Sequence, residues 1–444
     1  MGRCAVSTQK QKRPFALRAL AAFAGTLAIL FVLLLAAYAL PGERVRQHVY
    51  DSARTIQNEG LYPEYLGFKL FQMDNYTDTL MLFEAASADE LPPLQAMMTN
   101  TAYNVDNFET LADDLAWYIE KDWSTGAQRT DAPALEPFSY ARYWHGYLIW
   151  LRPLLLLMPY TGVRIVQYIV LFSLLAVVLV QLRRRCGLRA AVWFAVSQLA
   201  VSVWFVPHQV QYFTCFMIAY AGCAWVLAKP RRSDVLCLGL LVLGTATAFC
   251  DLLVTPIITL GLPLTCWLLE PQQRLRGGVP QCALAVGGSL CWGTGYALCW
   301  AGKWALAGAV TNNNVLADAL HQAEVRTTAD TWHGMELTWR NIFIFLYDTL
   351  NGRHLFWPAL AVLAVLIALF ILSIRSKTAL VRALPLALTT CMTPAWFVLL
   401  RTHSIQHGWF TWRALGLTVF AGLAFLYYAC DLRAARRRLQ KGSI

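Results

Sequence analysis

The sequence predicts an all-α protein that crosses a membrane many times, and three observations support this prediction. The 444-residue chain is 57% hydrophobic but only 14% charged, with a mean hydropathy of +0.45, whereas soluble domains carry about 25% charged residues. Charge-poor runs of about 20 residues, the length of a membrane-spanning helix, recur along the whole chain. The alternating segments of about ten residues that indicate a membrane β-barrel are absent from the sequence.

The apolar runs predict about ten transmembrane spans. They fall at approximately 15–40, 163–182, 190–207, 211–228, 235–254, 256–269, 281–302, 356–374, 383–400 and 414–430. The first run is longer than the apolar core of a signal peptide, which is about 7–15 residues, so we expect a retained helix. The sixth is short and begins at Pro256, which predicts a bend or a kinked hairpin shared with the fifth.

Charge asymmetry assigns the two sides of the membrane. With the amino terminus inside, 22 of the 37 Lys and Arg residues but only three acids lie on the cytoplasmic side, including the segments 1–14 and 431–444. The outward side holds 23 of the 26 acids and all eight histidines. Because cytoplasmic segments are enriched in Lys and Arg, ten spans with both ends inside fit best. The same rule explains the net charge of +11 without a nucleic-acid partner.

Two long outward segments, 41–162 and 303–355, hold most of the titratable side chains. The first contains seventeen acids. Its helix-like stretches lie around 43–59, 78–88 and 107–121. Its apolar run 146–160 is too short to span and is interrupted by Arg152-Pro153. We expect an interfacial or re-entrant helix there, with the arginine at the depth of the lipid headgroups.

The motif Asp74-Asn75-Tyr76-Thr77-Asp78 is the strongest candidate for chemistry. Two carboxylates at i and i+4 share one helix face, and like charges so close together raise one pKa. Such a pair can take a proton from an attacking hydroxyl or hold a divalent cation. The alternative interpretation is a helix N-cap, with Asp74 or Asn75 ending a loop and Asp78 in the first helical turn. Asn75-Tyr76-Thr77 also matches the N-glycosylation acceptor pattern.

Two basic, aromatic segments are candidates for binding a lipid phosphate. Arg142 and His145 lie among three aromatics in residues 140–146, before the interfacial run, and an arginine beside aromatics suits a phosphate on an apolar chain. The alternative is an aromatic belt with a snorkelling arginine.

The outward loop between the ninth and tenth predicted spans has a similar composition. It contains Arg401, His403, His407 and Arg413 with three aromatics and no acid, which favours an anionic lipid partner. The alternative is pairing with acids of the first loop.

Asp251 and Lys303 lie at the outward ends of predicted spans, where an ionisable side chain is a functional candidate unless it pairs with a neighbour. No Cys lies in the long outward segments, which together with the compact size indicates a bacterial cytoplasmic membrane. Neither a P-loop, a GxSxG, an HExxH nor a Rossmann glycine pattern occurs. The short cytoplasmic loops leave no room for a nucleotide site.

These features resemble the GT-C superfamily of polyprenyl-phosphate-dependent membrane glycosyltransferases. The resemblance rests on the architecture of the whole chain: many spans, a long acidic loop after the first span with Asp74 and Asp78, an interfacial helix at 146–160, and the late loop 401–413. The acidic pair lies further from the first span than is usual in the family, so Glu43 or Asp51 is an alternative for its role.

The resemblance implies that a polyprenyl-phosphate sugar enters from the bilayer and reacts with a glycan, lipid or protein acceptor. Asp74 or Asp78 acts as general base, and the acceptor hydroxyl attacks the anomeric carbon with inversion. The departing phosphate is stabilised by Arg142, Arg401, Arg413 or Lys303, and His145, His403 and His407 also bind the lipid phosphate or the sugar. Two other functions remain open at this stage: a transporter or flippase for an anionic lipid-linked saccharide, and a non-catalytic membrane scaffold.

Overall fold

The computed structural model describes most of the chain. Described residues are 14–67, 71–88, 90–103, 137–274, 276, 278–328, 356–431 and 433, with isolated positions between 331 and 344. The predicted helix around 107–121 lies outside them. Nearly all of the ordered backbone that they form is α-helical, and the strands are two short hairpins: β1 (Thr101–Tyr103) with β2 (Pro137–Ser139), and β3 (Thr331–Trp332) with β4 (Met335–Glu336).

The helices follow in chain order, beginning with those before the main bundle. They are α1 (Phe15–Tyr38), α2 (Glu43–Glu59), α3 (Asn75–Ser87), α4 (Pro93–Thr99) and α5 (Leu148–Leu155). The next are α6 (Tyr160–Cys186), α7 (Leu188–Ala200), α8 (Val210–Ala228), α9 (Ser233–Cys250), α10 (Ile257–Leu268), α11 (Pro271–Arg274) and α12 (Gly278–Thr311). The last are α13 (Val315–Thr328), α14 (Phe356–Ser373), α15 (Lys377–Leu399), α16 (Arg401–Gln406), α17 (Gly408–Thr411) and α18 (Leu415–Ala429).

Among the described residues, seven helical segments are long and apolar enough to cross a membrane. They are Phe15–Tyr38, Tyr160–Cys186, Val210–Ala228, Ser233–Cys250, Gly278–Thr311, Lys377–Leu399 and Gly408–Ala429. The other three predicted spans coincide with shorter apolar helices, Leu188–Ala200, Ile257–Leu268 and Leu360–Ser373. A helix of 13 residues such as α7 is about 20 Å long, less than the roughly 30 Å of the hydrocarbon core. The multi-pass membrane class is therefore supported, and the count of ten is not established.

The short helix α10 lies in the centre of the bundle. All twelve of its residues are buried, which is typical of a helix that is apolar on every side and meets protein on every side. It packs with α8, α15 and α18 in one large apolar cluster. Burial in protein explains why a helix too short for the bilayer is nevertheless stable there.

Helices α2 to α5 cover one end of the bundle, which we call the loop face; the opposite end is the basic face. Helix α2 buries Val45, Val49, Ala53 and Ile56, a spacing that puts them on one helical face. These residues join a second apolar cluster with α1, α3, α4, α5 and the loop-face ends of α9 and α12. The predicted helix at 146–160 is present as α5, but Arg152 is fully buried and donates to the Leu40 carbonyl at 2.8 Å. Its guanidinium therefore lies inside the protein rather than among lipid headgroups.

Candidate functional site

Asp74 is buried at the start of α3 and acts as its N-cap. Its carboxylate accepts hydrogen bonds from the Thr77 backbone N–H at 3.0 Å and the Thr77 hydroxyl at 2.9 Å. The side-chain amide oxygen of Gln209 accepts from the Asp74 N–H at 2.8 Å, which ties this turn to the segment before α8. The capping interpretation of the motif is therefore correct for Asp74. Burial raises the pKa of the carboxyl, against the effect of the Thr77 and Gln211 hydrogen bonds.

Asp78 lies one turn later and is also fully buried. The Tyr160 hydroxyl donates to its carboxylate. The backbone N–H groups of Val210 and Gln211 donate at 3.3 and 3.4 Å, so the carboxylate sits at the N-terminus of α8, where a helix favours negative charge. Burial raises the pKa of Asp78 to about 7, and the hydrogen bond from Tyr160 opposes that rise.

The ion pair between Arg164 and Glu59 lies beside Asp74 and Asp78, and no sequence motif predicted it. Arg164 donates to both carboxylate oxygens of Glu59, at 2.5 and 2.8 Å, and to the His208 carbonyl at 2.9 Å, while its guanidinium lies 4.6 Å from the Tyr160 ring centre. Burial alone would raise the pKa of Glu59, but the hydrogen bonds and charge of Arg164 lower it below its usual value. Burial, followed by the charge of Arg164, lowers the pKa of His208 to about 4.

Asn75 is part of the same network. It is completely buried. Its amide donates to Glu59 at 3.1 Å and to the Gly60 carbonyl at 2.9 Å, and its oxygen accepts from Gln209 at 2.8 Å. A buried, fully bonded side chain cannot accept a glycan in the folded protein, so the glycosylation pattern at this position is a chance match.

The segment 401–413, which comprises α16, α17 and the turns beside them, passes close to the acids. The Arg413 guanidinium lies 4.5 Å from the Tyr212 ring centre and donates to the Trp409 carbonyl at 2.9 Å. The Trp409 ring centre is 5.5 Å from that of Tyr62, and the Trp409 side chain lowers the pKa of Asp74. The carboxy-terminal half of this segment therefore borders the Asp74 carboxylate.

The two histidines occupy the other half of the segment, where Arg401 begins α16 and is partly buried. The His403 Nε2 lies 2.8 Å from the Leu253 carbonyl oxygen, and the two imidazole centres are 4.7 Å apart. Burial, followed by the charge of Arg326, lowers the pKa of His407 to about 4. Burial also lowers the pKa of His403. The lowered pKa values favour the neutral form of both rings, and the charge of Arg326 acts on both.

A cavity of about 290 Å³ opens between the loop-face ends of α12, α13 and α15. Four aromatic residues and two arginines form its distinctive lining: Tyr296, Trp300, Trp304, Trp396, Arg142 and Arg326. We call it the aromatic cavity. Leu253 and Leu400 also line it. The Leu253 carbonyl contacts His403, and Leu400 directly precedes Arg401 in the chain. Segment 401–413 thus connects the aromatic cavity to the buried acids.

Some polar groups of the aromatic cavity have partners in the protein and others do not. Arg142 donates to Asp318 at 3.2 Å and lies 4.7 Å from the Tyr140 ring centre. The Arg142 carbonyl accepts from the Trp304 indole at 3.0 Å. Within the described parts of the chain, the Tyr296 hydroxyl and the Trp300 indole N–H are buried without hydrogen-bond partners. An arginine, a hydroxyl and an indole donor beside apolar walls suit an anionic group attached to an apolar chain.

His145 and Lys303 lie elsewhere, beneath α3 and α4. The His145 Nδ1 is 2.5 Å from the Glu84 carboxylate, which also accepts from the Tyr147 hydroxyl. The Lys303 ammonium is fully buried and donates to the Met97 carbonyl at 2.7 Å and to Asn100 Oδ1 at 2.5 Å. A cation at the carboxy-terminal end of α4 stabilises the orphan carbonyls of that helix. Both side chains therefore hold the loop face together, and neither lines the aromatic cavity.

Asp251, which follows the end of α9, is buried, and its carboxylate accepts from the Val254 backbone N–H at 3.1 Å. It has no arginine partner within the described residues and lies within electrostatic range of the Tyr296 hydroxyl. The alternative acids Glu43 and Asp51 are exposed on α2, away from the buried acids and the aromatic cavity. Sequence reasoning missed four residues of these networks, because no motif marks them: Glu59, Glu84, Arg164 and Arg326.

Across the described residues, no group of three or more His, Cys, Asp or Glu side chains is arranged to hold a metal ion. No protein-family model, curated protein or solved structure matches the chain.

Proposed function

We propose that the protein is a membrane glycosyltransferase that moves a sugar from a polyprenyl-phosphate donor to an acceptor hydroxyl at the loop face. The observation that supports this most strongly is the aromatic cavity, with Arg142 and Arg326 in its wall, joined by segment 401–413 to two buried acids. The arginines suit the phosphate, the aromatic walls suit the first isoprene units and the sugar, and a buried carboxylate suits a general base.

Asp74 is the better candidate for the base. Both carboxylates accept hydrogen bonds, Asp78 from Tyr160 and two backbone N–H groups and Asp74 from Thr77. Asp74 is preferred because it borders segment 401–413, where Trp409 lowers its pKa. In the proposed step Asp74 accepts the proton of the acceptor hydroxyl, whose oxygen forms the new bond to the anomeric carbon. The bond from that carbon to the phosphate oxygen breaks, and the phosphate departs with the electron pair beside Arg142 and Arg326. A single displacement inverts the anomeric configuration.

The proposed orientation puts the loop face outside and both chain ends in the cytoplasm of a bacterial cell. The excess of Lys and Arg on the opposite side of the bundle supports it. The acceptor is a glycan, lipid or protein of the cell envelope, all of which present a hydroxyl there.

Transfer of radiolabelled sugar from a panel of polyprenyl-phosphate donors by the purified protein in lipid tests this proposal. We expect Asp74→Asn to lose transfer by about a hundredfold or more, the usual scale for a general base. Glu43→Gln and Asp51→Asn, which remove exposed acids from α2, are matched controls and should retain transfer. If one of these controls loses transfer and Asp74→Asn does not, the assignment of the base is wrong.

The same assay separates transfer from transport. In one outcome the wild type, Asp74→Asn and Asp78→Asn bind the lipid-linked sugar equally well, yet the protein transfers sugar from none of the donors. That result would contradict the proposed enzyme activity and support a transporter or flippase.

A further inference from the structure

The basic face carries a pair of cavities, at the opposite end of the bundle from the buried acids and the aromatic cavity. Adjoining cavities of about 240 and 580 Å³ share Arg274, Arg375 and Tyr428 in their walls. Arg382 lines the first and Arg189 the second. We call the two together the basic pocket. It lies where α6, α11 and α18 end and α7, α12 and α15 begin.

Two consecutive tyrosines hold three of the four arginines of the basic pocket in position. Arg274 donates to the Tyr428 hydroxyl at 2.6 Å, and its guanidinium is 4.8 Å from that ring centre. Arg189 donates to the Tyr427 hydroxyl and lies 5.1 Å from that ring centre, while Arg375 approaches the same ring at 5.9 Å. Aromatic contact fixes the guanidinium groups and leaves their positive charge intact.

The charge of the basic pocket is not neutralised by the described part of the chain. No carboxylate there lies within ion-pair distance of the four arginines; the nearby acid Glu270 pairs instead with Arg185 at 2.8 Å. Elsewhere on the molecule arginines do find acids, as Arg18 does with Asp234 at 2.9 Å. The first turns of α12 and α15 also line the pocket, and helix N-termini add positive potential.

We infer that the basic pocket binds a phosphate-bearing anion at the membrane surface, a role independent of the proposed sugar transfer. Four arginines offer the planar donors that phosphate oxygens prefer. Leu268, Pro385 and Leu386 form an apolar wall. The buried Gln281 Oε1 has no hydrogen-bond partner among the described residues and can accept from a ligand hydroxyl. The phosphate of an anionic lipid headgroup and free inorganic phosphate share this chemistry.

Binding by the full-length protein with and without the arginines tests the inference. The protein is placed in nanodiscs of mixed phosphatidylglycerol and phosphatidylcholine. Native mass spectrometry then releases it from the discs and counts the lipids that remain bound. We expect retained phosphatidylglycerol in the wild type and at least a tenfold loss in Arg274→Gln/Arg375→Gln, since each charged hydrogen bond contributes about as much as a tenfold change in affinity. Arg183→Gln/Arg184→Gln is the matched control: it removes two exposed arginines of the same face that line neither cavity, and it should retain the lipid.

Two further arms distinguish the source of the phosphate and guard against misfolding. The first arm measures thermal unfolding in detergent with millimolar inorganic phosphate. If phosphate stabilises the wild type but not the double variant, the ligand is a free anion. If phosphate has no effect but phosphatidylglycerol is retained, the ligand is a lipid headgroup. Arg382→Gln alters a side chain with no hydrogen bond or ion pair in the described structure, so it should fold normally and still bind several-fold less ligand. The inference would be overturned if the wild type, Arg382→Gln and the double variant bound phosphatidylglycerol and inorganic phosphate equally well. It would also be overturned if Arg183→Gln/Arg184→Gln lost as much lipid as Arg274→Gln/Arg375→Gln.

Discussion

At the residue scale, the buried acids of α3 combine a capping role with a perturbed ionisation. Among the described residues, no arginine contacts the Asp78 carboxyl directly, and its partners are a tyrosine hydroxyl and the first N–H groups of α8. Those donors stabilise the anion, but complete burial outweighs them and raises the pKa of the carboxyl to about 7. A carboxyl whose pKa lies near neutral pH makes the free energy of unfolding depend on pH in the physiological range.

The ionisation of Asp78 predicts a pH-dependent stability. Its pKa is about 7 in the folded protein against 3.8 as its ordinary value, so the folded state binds more protons between those values. The stabilisation is fully present below the lower value and is lost as pH rises through the higher one. Glu59 and His208 act in the opposite sense, because their pKa values are lowered in the fold.

Comparison with Asp78→Asn therefore isolates the carboxyl. Thermal unfolding in detergent between pH 4 and 8 should show that the wild type loses stability relative to Asp78→Asn as pH rises. A constant difference between the two proteins across this range would contradict the raised pKa of Asp78.

The sequence predicted the local part of this site and missed the distant part. The cap formed by Asp74 involves residues three positions apart, so the pattern alone revealed it. The distant partners are Tyr160, which donates to Asp78, and Arg164, which donates to Glu59; both belong to α6 and lie more than eighty residues away. Pairing across such distances depends on how helices pack, which no local spacing encodes.

At the element scale, α9 and α12 approach closely through glycines. A Cβ added at Gly295 would lie 2.2 Å from the Leu241 carbonyl oxygen, and one at Gly244 would lie 2.0 Å from that of Trp292. Small residues let membrane helices pack backbone to backbone, where dispersion forces and close contact provide the stability. Gly293, on the same helix as Gly295, has open space around it.

Gly295→Ala should therefore destabilise the protein by about 1–3 kcal/mol, the usual cost of overpacking a close contact. Gly293→Ala is the matched control and should be neutral or slightly stabilising, because alanine favours a helix. Thermal unfolding in detergent measures both. Equal melting temperatures of the two variants would show that α9 and α12 are not in close contact at Gly295.

Lys303 predicts a second effect at this scale, since it holds α4 against α12. Lys303→Met keeps the length of the side chain but leaves the Met97 carbonyl and Asn100 Oδ1 buried without their donor. We expect a loss of about 1–3 kcal/mol in the free energy of unfolding, the cost of unsatisfied buried acceptors. Lys377→Met, which changes an exposed lysine, should leave the stability unchanged. A destabilisation no larger in Lys303→Met than in Lys377→Met would contradict this role.

Helix positions were predictable, whereas their environments were not. Apolar runs predicted α1, α6 and α12 because lipid-facing and core-facing residues are both apolar. The same runs could not show that α10 is enclosed on every side, or that Arg152 points inward. Both depend on the packing of α2 to α5 over the loop face, which brings separate segments together.

At the scale of the whole molecule, the two ends of the helix bundle differ in chemistry. The loop face combines buried acids with an aromatic cavity, and the basic face contains the basic pocket, whose four arginines the described acids do not neutralise. The charge asymmetry of the sequence predicted this polarity, because it depends only on which segments carry the charged residues. The aromatic cavity itself required the structure, since its walls come from α12, α13 and α15.

Photo-crosslinking with a diazirine-bearing polyprenyl phosphate tests the central claim, that the aromatic cavity binds the lipid phosphate. We predict labelled peptides from α12, α13 and α15, labelling that excess unlabelled polyprenyl phosphate suppresses, and loss of most labelling in Arg142→Gln/Arg326→Gln. Arg54→Gln, an exposed arginine of α2, should label as the wild type does. Labelling confined to other helices, or equal labelling of the double variant and the wild type, would contradict the account.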